Sequence, residues 1–219
     1  MRLVLLALGA LVVVLAVAQV ALPRVAASRI SSRVSRYGRV RSVSVSAWPA
    51  VKLLWGEADS VKVRAGALSL STEQAGKLLW EGHGVHDMDL RAESVKVGPL
   101  EVQDAMLRKR GAALSAQAQT SEGEVKAALP PGLEVKLLSS REGQVEVQAS
   151  GGLFGVQASV DAVAGASEGK LIAHPLGLLI EGFQLHLFSD PHVYVEGVGA
   201  SVQQSDPLIY RLMMRASLR

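Results

Sequence analysis

"VSVSAWPAVKLLWGEADSVKVRA", residues 43–65, places two alternating runs on either side of a short apolar segment. Before it, Val43 and Val45 alternate with Ser44 and Ser46; after it, Val61, Val63 and Ala65 alternate with Lys62 and Arg64. Period two with one polar and one apolar face is the pattern of a half-buried β-strand. Antiparallel sheets expose one face in this way. The sequence between, "PAVKLL", reads as a short apolar turn, with Gly56 just after it.

The same alternation continues outward. His86, Met88, Leu90 and Ala92 alternate with Asp87, Asp89, Arg91 and Glu93. Further runs lie at 112–119, 135–137, 145–149, 156–163, 170–173, 183–188, 193–195 and 209–218, with "VGP", "SSREGQ" and "AGASEGK" as turns between strands. Two short helices interrupt. Ser71 with Gln74, and Ser121 with Glu124, have the spacing of a capping box, and Pro130-Pro131-Gly132 stops the second helix. Strands that follow each helix suggest a repeated helix–strand–strand–strand unit. The fold class is α+β, a mainly antiparallel sheet with few helices, over residues 42–219.

Composition supports strands. Hydrophobic residues make up 49% of the 219, yet aromatics only 4%. The apolar mass is Val, Leu and Ala, which favours a sheet with slim inward side chains. Such a sheet either packs solidly on its helices or leaves a groove. Cysteine is absent, which excludes disulfides, thiolate catalysis and acyl anchoring through Cys.

Residues 1–23 carry an apolar run, Leu3–Leu22, whose one polar side chain is Gln19. Twenty helical residues extend about 30 Å, enough to span a bilayer's hydrocarbon core. The run reads as a hydrophobic helical anchor ending at Pro23, or as a signal peptide cleaved after Ala16-Val17-Ala18. Residues 24–41 follow with six arginines and no acid, so 42–219 carries a slightly acidic balance. Helical spacing over 25–37 puts Ala26, Ile30, Val34 and Tyr37 on one face and Arg29, Arg33 and Arg36 on the next. That basic flank is either simply solvated or set against lipid phosphates. The positive-inside rule on its own would place the domain in the cytoplasm.

No reaction is legible. His83, His86, Asp87 and Asp89 do not converge on an alternating strand, and His186, Asp190 and His192 read as a polar hairpin. There is no nucleophile elbow, and "GASEGKL" lacks the spacing and the hydroxyl of a phosphate loop. No catalytic residue, metal or cofactor is expected. Nucleic acid is not an expected partner, because the basic excess sits in one segment and aromatics are few. Trp48 and Trp55 flank the apolar turn. They are core anchors, or else Trp48, Leu53, Leu54 and Trp55 form a loop that touches a bilayer.

With these residues in view, 43–65 resembles the opening of the LmeA-like family of bacterial envelope proteins: an alternating strand, a Pro, a one-turn apolar segment, a Gly, a second alternating strand. Val43, Val45, Pro49, Leu53, Leu54, Gly56, Val61 and Val63 occupy those places. The stretch "SAQAQTSEGEVKAALPPGLEVKLLSSREGQVEVQASGG" is similar to that family's midsection, and Trp48 and Trp55 depart from the smaller or phenylalanine-like residues expected there. The resemblance implies a curved, mainly antiparallel sheet wrapped on a helix, as in the tubular lipid-binding superfamily. It also implies an exported or membrane-tethered envelope protein, outside the membrane, whose partner is phospholipid, by the arginines anionic. Two other functions remain open: a non-catalytic envelope interaction module, and a lipid or glycan hydrolase.

Overall fold

The structure, a computed structural model, describes residues 2–129, 131–153, 156–176 and 184–219, with side chains described over 17–129, 131–151, 158–176 and 184–219. Helix α1 (Arg2–Val34) leads into β1 (Gly38–Ser46), a 3-10 turn (Ala50–Trp55) and β2 (Ala58–Leu70). Next come α2 (Thr72–Glu81), β3 (Val85–Val97), β4 (Leu100–Arg110), β5 (Ala113–Ser121) and α3 (Glu122–Ala128). The chain continues through β6 (Leu133–Arg141), β7 (Gln144–Leu153), β8 (Val156–Ser167), β9 (Lys170–Pro175) and β10 (Leu185–Phe188), and ends with β11 (Val193–Ser205) and β12 (Leu208–Leu218). Strand order is β1-β2-β3-β4-β5-β12-β11 in a seven-stranded sheet and β10-β9-β8-β7-β6 in a five-stranded one.

The sheets are mainly antiparallel, as expected, with one parallel pair, and the N-terminal expectations need correction at two points. The strands are antiparallel except β2 and β3, which run parallel with Val61 opposite Met88 and Val63 opposite Leu90. Helix α2 lies between them and carries the chain back to the starting end, the crossover a parallel pair requires. The helix at the N-terminus does not stop at Pro23 but runs on through it to Val34. Pro23 leaves the Gln19 carbonyl without its intrahelical donor, while Ile30 and Val34 pack on the sheet beyond it. Finally, a basic helix over 24–41 overshoots: α1 ends at Val34, three residues short of the helical spacing over 25–37, and Arg39 and Arg41 lie on β1. A Cβ at Gly38 would stand 2.0 Å from the Ala67 carbonyl oxygen, so glycine is what lets β1 start against β2.

Both capping boxes form as expected. Ser71 accepts from the Gln74 amide, Ser121 from the Glu124 amide, and each partner's side chain returns the bond. Helix α2 leads into β3–β5 and α3 into β6–β9.

The core belongs to the seven-stranded sheet. Under α1, Ile30 and Val34 meet Ala65, Leu68, Ala92 and Val95. Beside them Ala58, Val61, Val63 and Met88 pack with Leu53 and with Leu79 of α2. At the far end Leu114, Val193 and Ala216 close under Leu79 and Phe188. Each fully buried Val, Leu or Met contributes about 1.5–3 kcal/mol relative to exposure.

The five-stranded sheet attaches by its turns. Along the free edge of β11, Val195 donates its amide to the Gly169 carbonyl at 2.8 Å and Val198 to that of Gly143 at 2.8 Å. Ala200 donates to the Ser140 hydroxyl at 2.9 Å. The edge is thereby covered. Gly169 has φ +78°, and a Cβ there would lie 2.1 Å from the Tyr194 ring.

Candidate functional site

The apolar turn of the opening motif is the most exposed apolar feature of the described surface. Trp48 is 73% exposed, Leu54 67% and Trp55 72%. Leu53 turns inward onto the core. Of the two readings of the tryptophans, the core-anchor reading fails for Trp48 and Trp55. Their exposure is not slackness, because the loop is held at several points. Gln19 donates its Nε2 to the Ala47 carbonyl at 3.1 Å, and its Oε1 accepts the Ala50 amide at 2.8 Å. The Trp48 amide donates to Asp59 Oδ2 at 2.6 Å, and Lys52 pairs with Asp59 at 3.6 Å. Gly56, at φ +79°, ends the 3-10 turn in the left-handed conformation.

Gln19 is therefore a site residue that sequence reasoning passed over. The signal was present, since it is the one polar side chain in Leu3–Leu22. Its bonds dock the apolar helix onto the tryptophan loop. N-terminal to it, helix positions 2–18 reach about 25 Å further. Among the described residues no helix is long and apolar enough to cross a membrane. Most of the apolar run, and part of the cleavage motif at 16–18, fall outside the described side chains.

Arg29, Arg33 and Arg36 are all exposed. Arg33 pairs with Glu81 of α2 at 2.9 Å, which ties the two helices together. These arginines and the tryptophan loop are not brought into one contact. Trp80 sits between two imidazoles, with ring centroids 4.8 Å from His83 and 4.0 Å from His192. Among the described residues no group of histidine and acidic side chains has metal-binding geometry.

On the five-stranded sheet the register gathers apolar rows. Val135, Ala149 and Val160 stand in one row; Leu137, Val147 and Ala162 in the next; Val145, Ala164, Ala173 and Leu185 in a third. Apart from exposed Leu185, these side chains are half-buried. Leu133, Leu176, Leu185 and Leu187 at the margins are exposed. Five strands about 4.8 Å apart make an apolar breadth comparable to an extended acyl chain.

The other face of the seven-stranded sheet is different. A cavity of about 520 Å³ lies there, lined by Arg41, Arg64, Arg91 and Arg211 with Glu93 and Asp104. On the core side of the same sheet, Lys109 is buried and donates to the His83 carbonyl at 3.1 Å and to that of Val85. Burial pushes its ammonium below the ordinary lysine range. At the start of α3 the Ser121 amide, chiefly, holds the Glu124 carboxyl below the usual carboxylate range, with Gln103 and Thr120 adding to it.

These features define an open, mainly antiparallel two-sheet protein with peripheral helices, a staked tryptophan loop and a second sheet with half-buried apolar rows. Residues 13–208 match the LmeA-like phospholipid-binding family, and the chain belongs to it. Comparison with curated proteins and with solved structures finds no match.

Proposed function

We propose that the chain is a membrane-held envelope protein that binds phospholipid, with acyl chains lying along the apolar face of β6–β9 and no chemical step required. The family it belongs to supports lipid binding. The observation that carries the membrane placement is the docking of Gln19 onto the exposed Trp48–Trp55 loop. With the N-terminal helix in a bilayer, that loop lies where the helix leaves the membrane, the interface that Trp favours. Leu53 supports the loop from inside, while Trp48, Leu54 and Trp55 contact lipid. Arg29, one to two turns past Pro23, faces anionic headgroups, contributing about 1 kcal/mol near the surface, and Arg36 stands further out, just past the end of α1. The domain lies on the outer side, with the anchor retained or the chain released by cleavage.

Burying an acyl chain yields roughly 0.8 kcal/mol per CH₂ without directional contacts. Selectivity for the tail is accordingly loose, and transfer between membranes is compatible with it.

The test is extraction and mass spectrometry of the full chain purified in mild detergent. Phospholipid in stoichiometric amount is expected, reduced several-fold in Ala162→Trp, which fills the middle row. Protein that carries no phospholipid would return the reading to a structural interaction module. In a Trp80→Phe background, emission from Trp48 and Trp55 should be quenched by vesicles of lipid brominated near the top of the acyl chain. Unquenched emission removes the interfacial loop. Protease accessibility of the C-terminus in intact cells decides the side of the membrane.

A further inference from the structure

We propose that the crease across the polar face of the seven-stranded sheet is a binding site for a phosphate group, gripped by Arg64, Arg91 and Arg211. The crease has a structural origin. In β4, Asp104 and Ala105 oppose the single residue Ala118 of β5, and Asp104 takes φ +49° to make that bulge. A second irregularity interrupts β1 between Val40 and Ser42. Bulges bend a sheet, and here the backbone at Ala65, Ala92, Ala105 and Ala118, whose methyl groups turn to the core side, leaves a low floor between long arginine side chains. The cavity of about 520 Å³ has room for a phosphate group with a small substituent.

Charge makes the argument. Residues 42–219 are acidic on balance, so a gathering of arginines there does not follow from general basicity. On the same face Arg108 and Arg110 pair with Asp89, and Arg110 also with Asp87, while among the described residues Arg215 stands alone in the row of Arg108 and outside the crease. Arg41 is taken by Glu93 at 2.6 Å. Among the described residues, Arg64, Arg91 and Arg211 have no carboxylate within ion-pair distance. Moreover, Arg64 and Arg91 are direct partners in the β2–β3 ladder. Like charges set opposite each other in a sheet destabilise it. A tetrahedral oxyanion between them converts that repulsion into two charge-assisted forks, the geometry guanidinium groups match best. Arg211 and the neutral amides of Gln117 and Gln119 complete the ring.

The site stands apart from the acyl-chain reading, because its arginine side chains lie on the face opposite the apolar core. Phosphate chemistry comes equally from a lipid headgroup or from free phosphate, and the experiment separates them. The full chain in neutral maltoside micelles is melted while inorganic phosphate is added, with chloride at matched ionic strength as reference. A saturable rise in Tm with phosphate that chloride does not reproduce is expected. Arg91→Gln and Arg64→Gln should each weaken the response by about tenfold or more. Each should also melt no lower than the parent in phosphate-free, low-salt buffer, since the substitution removes the ladder repulsion. Arg108→Gln, on the same face but paired in the parent, should leave the phosphate response intact. If phosphatidylglycerol doped into the micelles competes with free phosphate, the ligand is a headgroup; if it does not, the ligand is soluble phosphate. The site is refuted if chloride acts as phosphate does, or if Arg91→Gln and Arg64→Gln respond as the parent does. Such a failure would leave the co-purified lipid of the previous section unaffected.

Discussion

The two sheets share one sequence pattern and end in opposite states. In the seven-stranded sheet, alternation delivers Val61, Val63, Leu68, Val95 and Leu114 to a sealed core. In the five-stranded sheet the same alternation lines up Val135, Leu137, Val145, Val147 and Val160, yet Ile172 is the one described hydrophobic side chain buried there. The difference is what lies on top. Helices α1 and α2 press Ile30, Val34 and Leu79 onto the first sheet, whereas among the described residues the rows of β6–β9 join none of the three core clusters. An alternating strand thus specifies an apolar face but not its occupant. Water on such a face is costly at about 25 cal/mol per Å², which is the physical ground for proposing it as the seat of the acyl chains.

The contrast can be broken by the same substitution in both sheets. Leu114→Ala, in the sealed core, should destabilise by about 3 kcal/mol in urea denaturation. Leu137→Ala, on the open face, should cost below about 1 kcal/mol while lowering the amount of co-purified phospholipid. Equal costs would mean that the five-stranded sheet is as closed as the other.

The joint between the sheets gives the next effect. Gly169→Ala adds a Cβ against the Tyr194 ring at a positive φ and should cost more than about 1 kcal/mol. Amide exchange should speed up first in β8 and β9 rather than in β2 and β3; uniform exchange would argue that the sheets unfold as one unit.

A smaller effect separates the two helices that introduce the sheets. The carboxyl of Glu124 has a folded pKa below its unfolded one. It therefore adds stability above the unfolded value, near pH 4.3 for a free Glu, and loses it as pH falls through the folded value. Glu124→Gln should cost up to about 1 kcal/mol at pH 7 and nothing once the parent is protonated. Gln74 makes the equivalent bond at α2 without titrating. Glu73 beside it does titrate: the Ser71 hydroxyl, chiefly, holds its carboxyl low, so Glu73→Gln is the matching control. The smallest change in stability is expected for Trp48→Ser, within about 0.5 kcal/mol, although it should reduce brominated-lipid quenching. A large loss of stability would mean that Trp48 is a packing residue.

Much of this architecture was legible in the residues. Both capping boxes, the alternating strands and the Gly-bearing hairpin turns rest on neighbours within a few positions, and each formed as read. The tryptophan loop was legible as one of two readings, because a Trp in a turn looks the same whether it points in or out. Gln19 was visible as an oddity without a role, since its partners, Ala47 and Ala50, lie about thirty positions away. The crease was hidden for the same reason: Arg64, Arg91 and Arg211 come from three strands, and their nearness depends on register and on the bulge at Asp104.

By itself, then, the sequence determined the period of its elements, where the helices begin, and the family to which the chain belongs. Tertiary structure decided that β2 and β3 run parallel, that one sheet carries the sealed core while the described rows of the other stay half-buried, that Trp48 and Trp55 face outward, and that Arg64, Arg91 and Arg211 meet in one crease. Periodicity and capping are short-range effects of backbone geometry and hydrogen bonding. Which face is covered, and which like charges become neighbours, depends on pairings between distant segments.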